Sequence, residues 1–197
     1  MRDVVADAPQ VLELSDHAEA TLAPLDANDA SPRSSECRVY RQKYAVVPTV
    51  PQHLRQLATM LRDEDVAEIA GTGNVPKRAL WRGYRNSILC ETAIIEGEPA
   101  AIWGLCIGGI VGVSPLNPLG RPWLLTSARV EAVPFAVVRE AKHAVSRMLS
   151  VTPMLENYVL SSYTRAVRML RMIGFTVDDP VNCGKMGIPY SRFHVAR

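Results

Sequence analysis

Apolar positions along the chain fall into two rhythms, alternation and a three-to-four-residue repeat, and together these divide residues 37–197 into strands and helices. In RVYRQKYAVVP, Val39, Tyr44, Val46 and Val47 predict a first strand, stopped by Pro48. Leu54, Leu57, Ala58 and Leu61 then recur at helical spacing, with Thr49 as the expected N-cap and Pro51 in the first turn. A short second helix over residues 63–70 carries Val66 and Ile69 and is closed by Gly71 and Gly73. A third is expected after Pro76, burying Leu80, Tyr84 and Ile88.

Ile94-Ile95-Glu96-Gly97-Glu98-Pro99 predicts strand, tight turn, strand, because Gly97 tolerates the positive φ that hairpins need. The expected strand at 100–105 leads into glycine-rich apolar chain, and PWLLT at 122–126 predicts another buried strand. A long helix over 134–150 places Phe135, Val138, Ala141, Val145 and Leu149 on one face and Arg139, Lys142 and Arg147 elsewhere. A strand over 154–160 follows. A last helix over 162–173 turns Ala166, Leu170 and Ile173 inward and stops at Gly174, and extended chain resumes at 175–177 and 190–195. Residues 99–120 carry no charge before the end of that stretch, long enough for a membrane helix. Gly104, Gly108, Gly109, Gly112, Pro115, Asn117 and Pro118 interrupt them, so buried strands with turns are expected and no membrane span.

Charge separates the first 36 residues from the rest. They hold eight Asp/Glu against Arg2 and Arg33, while residues 37–197 hold twenty Lys/Arg against twelve Asp/Glu. With few large apolar side chains, residues 1–36 cannot bury enough surface to offset their ordering entropy, and they are expected to form a flexible acidic tail. Val11, Leu12 and Leu14 are its candidate anchors on a partner. The start of the chain lacks the apolar core of a secretory signal. Cys37, Cys90, Cys106 and Cys183 have no metal-ligand spacing, which speaks against a zinc site and against a disulfide scaffold and fits a reducing compartment.

The order of elements, with RAVRMLRMIGF at 165–175 placing an alanine eight residues before a Gly-Phe pair, resembles the GNAT acyltransferases. LATMLRDEDVAEI at 57–69 and GEPAAIWGL at 97–105 resemble the early helix pair and hairpin of GNAT-like proteins of tailed phages. Trp123-Leu124-Leu125-Thr126-Ser127, the helix running to Met148-Leu149, Asn157-Tyr158-Val159 and Leu170-Arg171-Met172-Ile173-Gly174 resemble the acyltransferase-like internal virion proteins of short-tailed phages. The resemblance covers about residues 37–197. It implies an α/β domain with a mixed, mostly antiparallel central sheet flanked by helices.

That family cradles the pyrophosphate of acetyl-CoA on backbone N–H groups where a strand enters a helix, usually through a glycine-rich turn. The corresponding segment, Ser127 to Pro134, has no glycine, and Glu131 brings negative charge; Ser127, Arg129 and Val130 are the cofactor-binding candidates left. The family's usual acid, a tyrosine four residues before the closing glycine, falls on Leu170, and the frequent asparagine eleven before it falls on Tyr163. Tyr163 and Tyr158 are therefore the catalytic candidates. His17, His53, His143 and His194 have no partner that spacing assigns, which leaves no Ser/His/Asp triad to propose.

Arg165, Arg168 and Arg171 recur every three residues on the last helix and form a candidate partner-binding stripe for an acidic protein surface or, non-specifically, for nucleic acid. No aromatic interleaving or groove-reading motif accompanies it. A GNAT frame without its phosphate loop or usual acid leads to the expectation of a virion-associated protein that uses the fold as a protein-binding body. It would partner other virion proteins or copies of itself, be found in the virion and the host cytoplasm, and need no cofactor. The alternative is an acyl-CoA-dependent N-acetyltransferase acting on a host or phage amine, with acetyl-CoA as donor.

Overall fold

In the computed structural model the described residues are 44–108, 119–182 and 187–197; Val11, Leu12 and Leu14, with the rest of the tail, lie outside them. The elements run β1 (Tyr44–Pro48), α1 (Pro51–Leu57), α2 (Asp63–Gly71), α3 (Pro76–Asn86), β2 (Ser87–Ile95), β3 (Glu98–Ile107) and β4 (Leu119–Thr126). After a 3₁₀ turn over Ala128–Ala132 come α4 (Pro134–Val151), β5 (Met154–Leu160), α5 (Thr164–Met172), β6 (Thr176–Val177), β7 (Val181–Asn182) and β8 (Pro189–Ala196).

The strands form one sheet in the order β1-β2-β3-β4-β5-β8-β6, with β7 also on β8. Every pairing is antiparallel except β4 with β5. The β2–β3 hairpin turns on Glu96 (φ 52) and Gly97 (φ 82), the pair of positive φ values that matches strand twist. One face of the sheet packs under α4 and α5 through Trp103, Leu105, Leu155 and Phe193 against Ala144, Met148 and Leu170. The other face carries Ile102 and Leu125 against Leu54, Leu57 and Leu80 of α1 and α3. Those three leucines are fully buried, each contributing about 2 kcal/mol of transfer free energy.

Several expectations from periodicity are corrected. The N-cap of α1 is Val50, not Thr49, whose hydroxyl lies 2.9 Å from that of Thr92 across the sheet. Ile88 is 54% exposed, because α3 ends at Asn86 and the change from helical to strand period turns it outward. Phe135 is 90% exposed. The buried stripe of α4 runs through Ala144 and Met148, with Val133 just ahead of the helix taking the core position expected of Phe135. The short strand β7 was not signalled by any apolar alternation. Among the described residues no helix is long and apolar enough to cross a membrane; of the charge-free stretch, 99–107 lie in β3 and 119–120 in β4, and 109–118 lie outside the described residues.

Candidate active site

Strands β4 and β5 pair only at Leu119 with Met154 and at Gly120 with Leu155, and beyond those residues they diverge. Divergence of a parallel pair leaves inner-edge N–H and C=O groups without their ladder partners, and each needs another or costs free energy when buried. Side chains supply them here. Asn157 of β5 donates through Nδ2 to the Pro122 carbonyl of β4 at 2.9 Å. Further along, α2 closes the opening. Asp65 Oδ2 accepts from both the amide and the hydroxyl of Thr126 at the end of β4, each at 2.8 Å, and Glu68 Oε1 accepts from the Leu160 amide at the end of β5 at 2.9 Å.

One helical turn of α2 thus spans the mouth of the opening with two carboxylates. Their three-residue spacing sets both on one face of the helix. Backbone contacts hold that helix in place: the Arg62 amide donates to the Thr126 carbonyl at 3.1 Å, and the Tyr190 hydroxyl donates to the Glu68 carbonyl at 2.9 Å.

The two carboxyls are electrostatically unlike ordinary surface acids. Asp65 is 4% exposed, and burial pushes its pKa up against the opposing pull of the Thr126 hydrogen bonds and the Arg62 guanidinium. Glu68, half-buried, is pushed up to about 7, chiefly by burial and further by the neighbouring Asp65, with the Leu160 amide acting the other way. Tyr163, at the foot of α5, joins the same cluster. Its phenol is hydrogen-bonded with Asp65, and burial and the Asp65 charge hold its pKa above the ordinary tyrosine value, so it keeps its proton. The Arg62 guanidinium lies 5.9 Å from the centre of its ring.

An antiparallel four-strand half joined to a second half by one short parallel contact, with helices over both faces, is now in view, and solved structures share it. The fold is that of the GNAT acetyltransferases. A GNAT-family acetyltransferase from Streptococcus pneumoniae superposes with a TM-score of 0.52 at 14% identity, over 78% of this chain and 99% of that one. The aminoglycoside acetyltransferase AAC(6')-Ib, solved with ribostamycin and coenzyme A, gives 0.58 at 15% identity, over 78% and 93%. The GNAT domain of S. lividans PAT gives 0.56 at 14% identity, over 77% and 89%. No protein-family model and no curated protein matches the chain. At these identities the likeness is one of fold, and the resemblance to phage virion proteins rests on the sequence segments alone.

Within this GNAT fold, the stretch from β4 to α4 is a closed turn. Ser127 is 2% exposed, and its amide and hydroxyl both donate to the Ala100 carbonyl. Val130 is in the core, and the Val130 and Val133 amides donate within the turn to Ser127 and Val130. Arg129 pairs with Glu96 at 3.8 Å. Glu131 ties the turn to α5 through Arg165 at 2.6 Å and to α2 through Arg62 at 3.4 Å. The Ser127, Val130 and Val133 amides are thus taken within this stretch, while the backbone N–H groups of Phe135 and Ala136, in the first turn of α4, have no intrahelical acceptor.

Leu170 is buried in the core, where it offers no proton. Tyr158 is 41% exposed on β5, and only Tyr163 of the two tyrosine candidates reaches the carboxylate cluster. Arg168 and Arg171 are exposed on α5, whereas Arg165 is engaged by Glu131. On the α4 side of the opening lies an apolar chamber of about 120 Å³, bounded by Trp103, Trp123, Val137, Met148, Leu170 and Phe193. Asp65 and Glu68 escaped the sequence reading because their tertiary partners are backbone amides 61 and 92 residues away. The one local signal was a pair of acids on the core-facing side of an otherwise ordinary amphipathic helix, beside Ile69.

Proposed function

We propose that the chain is an acyl-CoA-dependent N-acyltransferase in which Glu68 is the general base. The observation that carries this reading is the position of Glu68, held by the Leu160 amide at the mouth of the β4–β5 divergence, with a pKa near that of the medium. In the reaction an amine nitrogen attacks the thioester carbonyl, the C–S bond breaks, and an amide and a free thiol leave. Glu68 takes the proton that the amine sheds. Tyr163, which keeps its proton and lies against Asp65, is placed in the same cluster to supply one to the departing sulfur. The apolar chamber gives an acyl chain somewhere to lie away from water. The AAC(6')-Ib structure with ribostamycin and coenzyme A supports an amine as the acceptor class.

A second reading has its own observation. The 3₁₀ turn over Ala128–Ala132, with the Val130 amide bonded to Ser127 and Ser127 itself bonded to Ala100, favours a GNAT frame used as a protein-binding body, as in a virion component. Calorimetric titration with acetyl-CoA separates the two. Saturable binding in the micromolar range, with thiol release that Glu68→Gln lowers by about a hundredfold or more, is the result expected of the enzyme. Absence of binding leaves the binding body, and then co-purification with particle proteins is the experiment that identifies its partners.

A further inference from the structure

Helix α3 carries more cations than any other element of the described chain. Its sequence, PKRALWRGYRN, contains four cations and no carboxylate. Lys77, Arg78, Arg82 and Arg85 are all exposed, and no ion pair among the described residues involves them. By contrast Arg62, Arg129, Arg139, Arg147, Arg165 and Arg192 each hold a carboxylate. Arg78 and Arg82 are four apart and Arg82 and Arg85 three apart, spacings at which like charges on a helix repel. The pattern is therefore unfavourable to the isolated fold, and it becomes favourable only against an anion.

The same face presents a flat aromatic element. Trp81 is half-buried with its ring edge-on to Tyr84, centroids 6.3 Å apart, and the Arg85 guanidinium sits 5.7 Å from the centre of the Trp81 ring. The packing on the other side fixes this orientation. Gly83 lies so close to Trp123 of β4 that a Cβ there would come within 2.9 Å of the indole, so α3 rests directly on the sheet and the cationic rows face solvent. Lys77, Arg78, Trp81, Arg82, Arg85 and Asn86 line one shallow notch along the helix. The notch is thus a row of unneutralised point charges interleaved with an indole capped by a planar guanidinium.

We propose that this face of α3 binds single-stranded nucleic acid, with Lys77, Arg78 and Arg82 on successive phosphates and the Arg85–Trp81 stack as the platform for a base. An acidic polypeptide would satisfy the cations but has no use for a stacking plane. A duplex would present its bases already stacked. Single strands combine spaced phosphates with free base faces, the two features the helix displays. This surface is separate from the opening between β4 and β5 and is independent of the reaction proposed there.

Fluorescence anisotropy of a labelled single-stranded 20-mer, measured with the full chain over a range of salt, tests the proposal. Three neutralised phosphates predict a slope of log K against log salt of about −2.1, falling to about −0.7 in Arg78→Gln/Arg82→Gln. Arg85→Lys keeps the charge and removes the plane, so affinity should drop about fivefold or more at unchanged slope. Arg168→Gln/Arg171→Gln on α5, the matched surface pair, should leave the slope as it is. Equal loss from the α5 pair would overturn the location. An unaltered affinity in Arg85→Lys, with polyglutamate competing charge for charge, would overturn the nucleic acid in favour of an acidic protein.

Discussion

Replacing Glu68 by Gln removes a charge without removing a hydrogen bond, which makes its effect on stability calculable. The amide oxygen of Gln can accept from the Leu160 amide as Glu68 Oε1 does now at 2.9 Å, and the side chains are nearly the same size. What changes is the titration. Glu68 is raised from 4.5 to about 7 in the folded chain, so between these values the native state holds a proton that the unfolded state has lost. Stability then falls as pH rises through that window, by about 1.4 kcal/mol per pH unit, or about 3 kcal/mol in all. The Gln variant has no such loss. Urea unfolding at pH 4.5 should give nearly equal free energies for the two proteins, and at pH 8.5 the variant should be the more stable by about 3 kcal/mol. Equal pH slopes in both proteins would refute the reasoning, since Glu68 would then titrate as an ordinary surface carboxylate. The same variant should lose transferase activity while gaining stability at high pH, a combination that a merely structural role for Glu68 would not produce.

Asp65→Ala should destabilise the fold by about 3 kcal/mol in denaturant titration, because the buried amide and hydroxyl of Thr126 both lose their acceptor. Gly71→Ala should cost about 1–3 kcal/mol and loosen α2, since the new Cβ would lie 2.4 Å from the Tyr190 hydroxyl that anchors it; a melting temperature equal to the parent's would count against that anchor. Ala141→Leu, projecting into the apolar chamber of about 120 Å³, should raise the melting temperature, with a ceiling of about 3 kcal/mol at about 24 cal/mol per Å³. If the chamber receives the donor's acyl chain, the same change should weaken binding of longer acyl-CoAs more than acetyl-CoA in calorimetry.

Local pattern determined much of this protein. Alternation and helical period are enforced by burial of one face, so β3, β5, α2 and α3 could be placed within a residue or two from apolar positions alone, and Glu96-Gly97 announced the hairpin through the φ values its turn requires. The order of those elements, together with the segment at 165–175, was enough to reach the GNAT fold. The failures came where a side chain's environment is set by distant chain. Phe135 fits the helical stripe, but the rotation of α4 on the sheet is decided by Val133 and Met148, and it left Phe135 in solvent. The basic stripe of α5 loses Arg165 to Glu131, a residue 34 positions earlier, whereas the WRGYR of α3 has no ion-pair partner among the described residues. The carboxylates at the site were out of reach for the same reason. Periodicity reports which face of a helix is buried, but Asp65 and Glu68 acquire their meaning from two backbone amides that are free only because β4 and β5 diverge, and that divergence is a property of the assembled sheet.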